Sequence, residues 1–254
     1  LRRAVNDTGG ELALLSPTSG ALAFYVSSAD VDLHRPEIRQ LVLATSGGPF
    51  AGRQRADLMT VTPHEARALA GAYSSRLRAV DAATLMNVGL DAIAVHHLFQ
   101  ASPEQVQVAL TAQSAPPAYM VHADESTQAL GRGLDIRSAI DSWLSELPSP
   151  APDTEPEKEP LPACSPPDLK TFRCLALALE ALRAGGDAPA LLNAANEVAV
   201  AAFLAGALPF LSIADVMEQI LMELPPQPVV DTQTLSERDR AARAAARRVL
   251  RSAC

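Results

Sequence analysis

Three polar side chains share one helical edge in the stretch Leu191–Leu204: Asn193, Asn196 and Glu197, at i, i+3 and i+4. Amides and a carboxylate on one edge can grip a polar ligand or hydrogen-bond a neighbouring loop. Asparagine is a poor helix former, so two of them mid-helix imply side-chain partners. The expectation is a structural, buried edge. A second stripe, Thr84, Asn87 and Asp91, runs at i, i+3 and i+7. It suits either the wall of a ligand site or a solvated helix face. Ser46 precedes Gly47 and Gly48, where a hydroxyl serves as ligand or as turn former. No His and Asp complete a triad with it at the sequence level. His96 and His97 point about 100° apart on a helix, so they do not share one metal ion. One packed and one solvent-facing histidine is expected.

The elements that must position these groups fall into two parts. Residues 148–168 hold eight prolines, with Asp153, Glu155, Glu157 and Glu159 between them. Proline denies the segment regular hydrogen bonding and the charges keep it solvated, so it reads as an extended linker. Before it, Glu11–Leu15 and Ile38–Thr45 read as strands, and Tyr119–Ala123 with Thr127–Leu130 as a strand pair around Asp124-Glu125-Ser126. Thr62-Pro63-His64-Glu65 has helix-start chemistry. Asp81 is expected to cap one long helix over 82–99, and a further helix covers Ile136–Leu147. After the linker, helices are expected at about 168–184, 189–205, 212–224 and 235–252. Gly185-Gly186, Gly206 and Pro225-Pro226 close the first three. The fold class is therefore α+β: a mixed αβ domain with an open sheet over 1–147, the linker, and a four-helix bundle over 169–254.

Composition narrows the function classes. A net charge of −8 argues against a nucleic-acid surface, and no apolar run reaches membrane-span length. Cys164, Cys174 and Cys254 lack metal-ligand spacing, so reduced thiols and an intracellular, soluble protein are expected, in bacterial cytoplasm or an organelle stroma. Lys158 and Lys170 are the only lysines, which leaves no phosphate-binding lysine before the linker. Arg238, Arg240, Arg243, Arg247, Arg248 and Arg251 make the last helix basic. That suits its dipole, a solvated face or an acidic protein partner. The chain begins at Leu1 without Met, signal or transit pattern, which reads as a fragment or a processed product.

Four blocks in order carry a resemblance: Ala44-Thr-Ser-Gly-Gly-Pro-Phe50, the run Val80-Asp-Ala-Ala-Thr-Leu-Met-Asn-Val-Gly-Leu-Asp91, the region around Gln113-Ser114, and the Asn-rich helix. They resemble the 1-deoxy-D-xylulose-5-phosphate reductoisomerase family of non-mevalonate isoprenoid synthesis. The lead-in from Pro167-Asp168 to Cys174-Leu175 matches as well. The resemblance implies a catalytic-type domain, a linker and a C-terminal bundle. It also implies NADPH and Mg²⁺ or Mn²⁺ as cofactors, and a homodimer made through the catalytic-domain sheet. No glycine-rich strand-to-helix turn for a pyrophosphate is present in these residues.

Residue by residue, the resemblance implies a depleted site. Pro17-Thr18-Ser19-Gly20 stands where the family has two metal-binding carboxylates, and Asp91 where it has a third. One carboxylate holds a hard divalent cation poorly. Of the phosphate-gripping groups Ser46 and Asn87 remain, while Ala82 and Val88 stand in place of a serine and a lysine. Leu69 and Ala72 stand where the substrate lid has a histidine and a tryptophan. Gly47, Gly48, Asn193, Asn196 and Glu197 are the structural matches. The expectation from these replacements is a catalytically degenerate protein without metal or cofactor, acting as an interaction or structural subunit in a homodimer or larger assembly. The alternative is a truncated or divergent reductoisomerase, and a third reading is a non-turning-over sensor of an isoprenoid precursor. Limited proteolysis should cut within 148–168 before it cuts Ile38–Phe50, because proline-rich backbone lacks a protective ladder. Earlier cleavage of Ile38–Phe50 would put the domain boundary elsewhere.

Overall fold

A computed structural model describes residues 38–68, 75–111, 116–130, 158–159 and 163–252. The expected strand at 11–15, the Pro17–Gly20 stretch, Leu69, Ala72, Gln113-Ser114, the helix at 136–147 and most of the linker lie outside the described residues. The described residues up to Ser46 and from Ala94 to Pro167 form one compact unit. Those from Gly47 to Ile93 and from Asp168 onward form the other. Residues 47–93 thus group with the C-terminal helices, whereas the sequence placed them with the strands.

The first unit is built on a five-stranded sheet in the order β2-β1-β3-β4-β5. Its strands are β1 (Ile38–Thr45), β2 (Val106–Leu110), β3 (Ala118–His122), β4 (Thr127–Leu130) and β5 (Lys158–Glu159). β1 pairs parallel with β2, in register Leu41 to Val106, and antiparallel with β3, with a bulge between Ile38 and Gln40. The β3–β4 hairpin turns where Asp124-Glu125-Ser126 predicts. Asp124 Oδ1 accepts from the Ser126 backbone N–H at 2.9 Å, and Glu125 takes a φ of 64°. Val42, Ala109, Tyr119 and Val121 form the apolar cluster of one sheet face. β2 was not foreseen. Two residue pairs of the linker, Lys158–Glu159 against β4, join the sheet, and Ser165 bridges Leu110. This corrects the fully solvated linker: the residues between its prolines keep free N–H groups and use them in the ladder.

The second unit is helical. α1 (Pro63–Ala68), α2 (Arg76–Ala83) and the start of α3 (Met86–Phe99) join α4 (Arg173–Ala184), α5 (Ala188–Leu204), α6 (Ser212–Glu223) and α7 (Thr232–Ser252). The last four are the expected bundle helices. Phe203 and Phe210 meet edge to face at 5.5 Å, and Phe210 meets Phe50 at 5.4 Å, anchoring the core of this unit. The start of α1 follows its Thr-Pro signal: Thr62 Oγ1 accepts from the Glu65 N–H at 3.2 Å.

The single helix over 82–99 is not formed. Asp81 lies inside α2 and caps nothing. The helix breaks at Thr84-Leu85, where Leu85 takes a φ of 58°. Thr84 Oγ1 donates to the Val80 carbonyl at 3.1 Å and accepts from the Met86 N–H at 3.4 Å. That pattern ends one helix and starts the next.

Gly89 of α3 faces α4 so closely that an added Cβ would lie 2.4 Å from the Ala178 Cβ. A side chain there must push the two helices apart. We expect Gly89→Val to destabilise the protein by about 1–3 kcal/mol, the usual cost of overpacking. Urea melts check this, and an unchanged midpoint would show that the helices separate freely.

Candidate functional site

The backbone of the second unit fixes where the site residues stand. Gly47 and Gly48 open a 3-10 turn, Gly48–Phe50. Gly48 takes a φ of 66°, and a Cβ there would fall 2.4 Å from the Ala82 carbonyl oxygen. Only glycine permits that conformation and that approach. Ser46, in the other unit, is exposed at the end of β1.

The polar stripe resolves into three different situations. Thr84 is buried and its hydroxyl is consumed by the α2–α3 turn, so it offers a ligand nothing. Asn87, in the first turn of α3, is half-buried. Its Oδ1 is fully buried and has no hydrogen-bond partner. Asp91 is half-buried one turn further along. Ala82 and Val88, at the positions where the resemblance calls for polar groups, are buried and apolar, Val88 at 7% exposure.

The Asn-rich edge divides likewise. Asn196 is 2% exposed, and its Nδ2 donates to Asp81 Oδ1 at 2.9 Å. Its own Oδ1 is buried without a partner. Asn193 is half-buried and Glu197 is exposed, which corrects the expectation that the whole edge is buried. Asn193 Nδ2 donates to Glu197 Oε1 at 2.9 Å, and Arg243 Nη1 donates to Glu197 Oε2 at 2.8 Å. Asn196 reaches inward because i+3 turns back about 60° from Asn193 toward the buried face, while Glu197 at i+4 turns about 40° the other way. Asp81, the partner of Asn196, went unnoticed as a site residue. No local pattern in the sequence marks it.

Electrostatics follow from burial. Desolvation raises the Asp81 pKa above its ordinary 3.8, with the Glu197 charge adding to the rise, while the Asn196 bond and Arg78 oppose it. Burial, with a smaller push from Asp81, raises Cys174 to about 12. Cys174 is therefore a thiol near neutrality and not a nucleophile or metal ligand. A small cleft is lined by Arg55, Thr171, Arg173, Cys174 and Phe210 among others. Thr171 is bonded to Asp168, and Arg173 is paired with Glu180 and Glu218, so its polar groups are largely spent.

His96 is half-buried and His97 exposed, as their spacing predicts. His96 Nδ1 lies 2.6 Å from the Ala101 carbonyl oxygen, which accepts its proton. Though His97 is exposed as a residue, partial desolvation of its ring and the neighbouring His96 lower its pKa. Among the described residues, no three His, Cys, Asp or Glu side chains converge to hold a metal ion. Asp91 is the one described residue at which the resemblance places a metal ligand, and a single carboxylate holds a divalent cation poorly. Cys164 and Cys174 are free thiols. No described helix is long and apolar enough to cross a membrane.

Comparison with known proteins places this geometry. Residues 20–99 match the model of the 1-deoxy-D-xylulose 5-phosphate reductoisomerase C-terminal domain, and residues 156–245 that of the DXP reductoisomerase C-terminal domain. The chain is 42% identical over 194 residues to the 1-deoxy-D-xylulose 5-phosphate reductoisomerase of Dechloromonas aromatica, covering 75% of this chain and 49% of the relative. It is 38% identical over 253 residues to that of Xanthomonas campestris pv. campestris, covering 98% of this chain and 63% of the relative. The chain thus spans between about half and two-thirds of these curated relatives. The solved reductoisomerase of Zymomonas mobilis in complex with NADPH superposes with a TM-score of 0.81 at 30% identity, over 98% of this chain and 64% of that one. A solved DOX-P reductoisomerase in complex with NADPH, fosmidomycin and magnesium gives a TM-score of 0.80 at 25% identity. With matches on both sides of the Pro-rich segment and one fold throughout, the chain belongs to the 1-deoxy-D-xylulose 5-phosphate reductoisomerase family.

Proposed function

We propose that this chain is the catalytic-type and C-terminal part of a divergent 1-deoxy-D-xylulose 5-phosphate reductoisomerase with a weakened grip on the substrate phosphate. The relatives named for that reaction support the activity. The observation that carries the ligand site is Asn87: a buried amide oxygen without a donor, in the first turn of α3. Such a group is costly unless something completes it, and a substrate hydroxyl is the right chemistry. Asn87 Nδ2 is a donor suited to a phosphate, and the family's motif gives the Ser46 hydroxyl the same role. Val88 brings no countercharge, so the dianion is held by neutral donors alone. Losing one charge-assisted bond costs about 1.5–3 kcal/mol, more than tenfold in affinity. Asp91 alone is a poor site for a divalent ion. The homodimer implied by the family's sheet is part of the same proposal, as are a bacterial cytoplasmic setting and the absence of a nucleic-acid partner. The 148–168 segment as a linker, and the roles of Gly47, Gly48, Asn193, Asn196 and Glu197 as scaffold, complete it.

A second reading is favoured by one observation. Buried Ala82 and Val88 stand where two phosphate ligands are expected, as they would in a scaffold that has shed its chemistry and serves as an interaction subunit. An assay separates the two. The chain is mixed with NADPH, Mn²⁺, 1-deoxy-D-xylulose 5-phosphate and a relative's NADPH-binding domain in trans. Substrate-dependent NADPH oxidation is expected, abolished by Ser46→Ala plus Asn87→Ala. Val88→Lys should lower KM more than tenfold. No turnover in any mixture, Val88→Lys included, would leave the scaffold reading standing.

Calorimetry with Mn²⁺ in the absence of substrate should show no micromolar binding. Micromolar affinity, about −8 kcal/mol, that disappears in Asp91→Ala would show that Asp91 has carboxylate partners.

A further inference from the structure

The Asp81–Asn196 pair is not used by the site described above, and it is incomplete as drawn by its heavy atoms. Asn196 Nδ2 donates to Asp81 Oδ1 at 2.9 Å. The other atom of the same amide, Oδ1, has no donor although the residue is 2% exposed. A buried acceptor left unmet is disfavoured. None of the neighbouring described side chains that carry protons bonds this oxygen. Glu197 of α5 is held by Asn193 and Arg243. Arg78 of α2 is exposed. Cys174 of α4 is a neutral thiol bonded to Thr84. α1, which also packs against α2, carries His64, Glu65 and Arg67, and Glu65 is paired with Arg53. Asp215 of α6 acts on Cys174. Among the described residues, the remaining donor is the Asp81 carboxyl itself, already in contact with the amide.

We propose that Asp81 stands in the folded protein as the neutral acid and donates its own hydrogen bond to Asn196 Oδ1. This closes a reciprocal acid–amide pair that clamps α5 onto the turn presenting Asn87. The proton comes from solvent on folding and returns to it as pH rises. Once it leaves, the carboxylate faces an amide oxygen at one end and the Glu197 charge nearby, and the clamp keeps one bond of two. Burial acts in the same direction on Asp81. The sign of the pH effect is fixed by linkage. The unfolded carboxyl titrates near 3.8 and the folded one higher. The clamp's contribution is complete below 3.8, falls as pH rises toward the folded value, and is gone above it. Across each pH unit of that window the folding equilibrium constant drops about tenfold. The inference does not rest on the proposed catalytic activity.

The test uses the full chain. Carbon-13 NMR of the Asp81 carboxyl should show a titration above 3.8, shifted in Asn196→Ala. Asp81→Asn replaces the acid–amide pair by an amide–amide pair with the same two bonds and no titration. The melting temperature of the wild type relative to Asp81→Asn should therefore fall as pH rises above 3.8. A carboxyl titrating at or below 3.8 would overturn the proposal. A melting difference that stays flat with pH would overturn it too. The wild-type NMR measurement decides even if neither variant folds.

Discussion

Leu85 sits in the left-handed region at φ 58°, and the arrangement of the helical unit depends on that one residue. Such a conformation costs about 1–2 kcal/mol for a non-glycine residue. What offsets it is local and buried. Leu85 is 1% exposed, and the Thr84 hydroxyl bonds carbonyls of α2 while receiving the first N–H of α3. The 3-10 turn approaches from the other side, with Gly48 against the Ala82 carbonyl. Were Leu85 helical, α2 and α3 would run on as one rod. Asn87 would no longer stand in a first turn, and Gly89 would no longer be aimed at Ala178. The break converts one amphipathic helix into two short ones with separate tasks: α2 meets α5 through Asp81, and α3 meets α4 through Gly89.

The replacements at 82 and 88 are explained by the same packing. A lysine at 88 that awaits a phosphate must either reach solvent or stay charged in a poorly hydrated place, which is expensive without a partner. Val88 removes that cost and packs. Ala82 does the same for a hydroxyl beneath the Gly48 turn. On the proposed function, each exchange would give up ligand affinity and relieve the empty fold of an unmet polar group. A weakened site and a stable scaffold are thus one physical outcome, and stability alone does not distinguish a divergent enzyme from a scaffold. Asn87 does distinguish them in principle, because it keeps the cost of an unmet acceptor that an alanine would remove.

Much of the fold was legible from residue type. β1 matches its apolar run end for end, and the first three of the four C-terminal helices stop where Gly185, Gly206 and Pro225 stop them. The hairpin follows Asp124-Glu125-Ser126. The features that escaped share one property: their determinants are not local. The break at Thr84-Leu85 contains neither glycine nor proline, so periodicity runs straight through it. β2 exists because β1 offers it a parallel edge. Lys158–Glu159 is a strand only because β4 lies beside it. The candidate site divides along the same line. Ser46, Asn87 and Asp91 were found through the family's motifs. Asp81 was misread as a helix cap, because its partner lies 115 residues away in the chain.

Family membership and family chemistry rest on different atoms. The positions that carry the likeness most firmly, Gly48, Gly89 and Asn196, act through backbone approach and buried hydrogen bonding. Changing any of them deforms a helix contact whether or not a substrate is ever bound. The positions that would carry chemistry, 82, 88 and 91, tolerate exchange because their side chains do not set the spacing between helices. A chain can therefore keep a TM-score of 0.81 to a reductoisomerase while its site drifts in charge. What limits that drift is the group that serves both purposes. Asn87 follows the α2–α3 break and holds a buried acceptor without a partner, so under the proposed function it is the position where scaffold and chemistry meet.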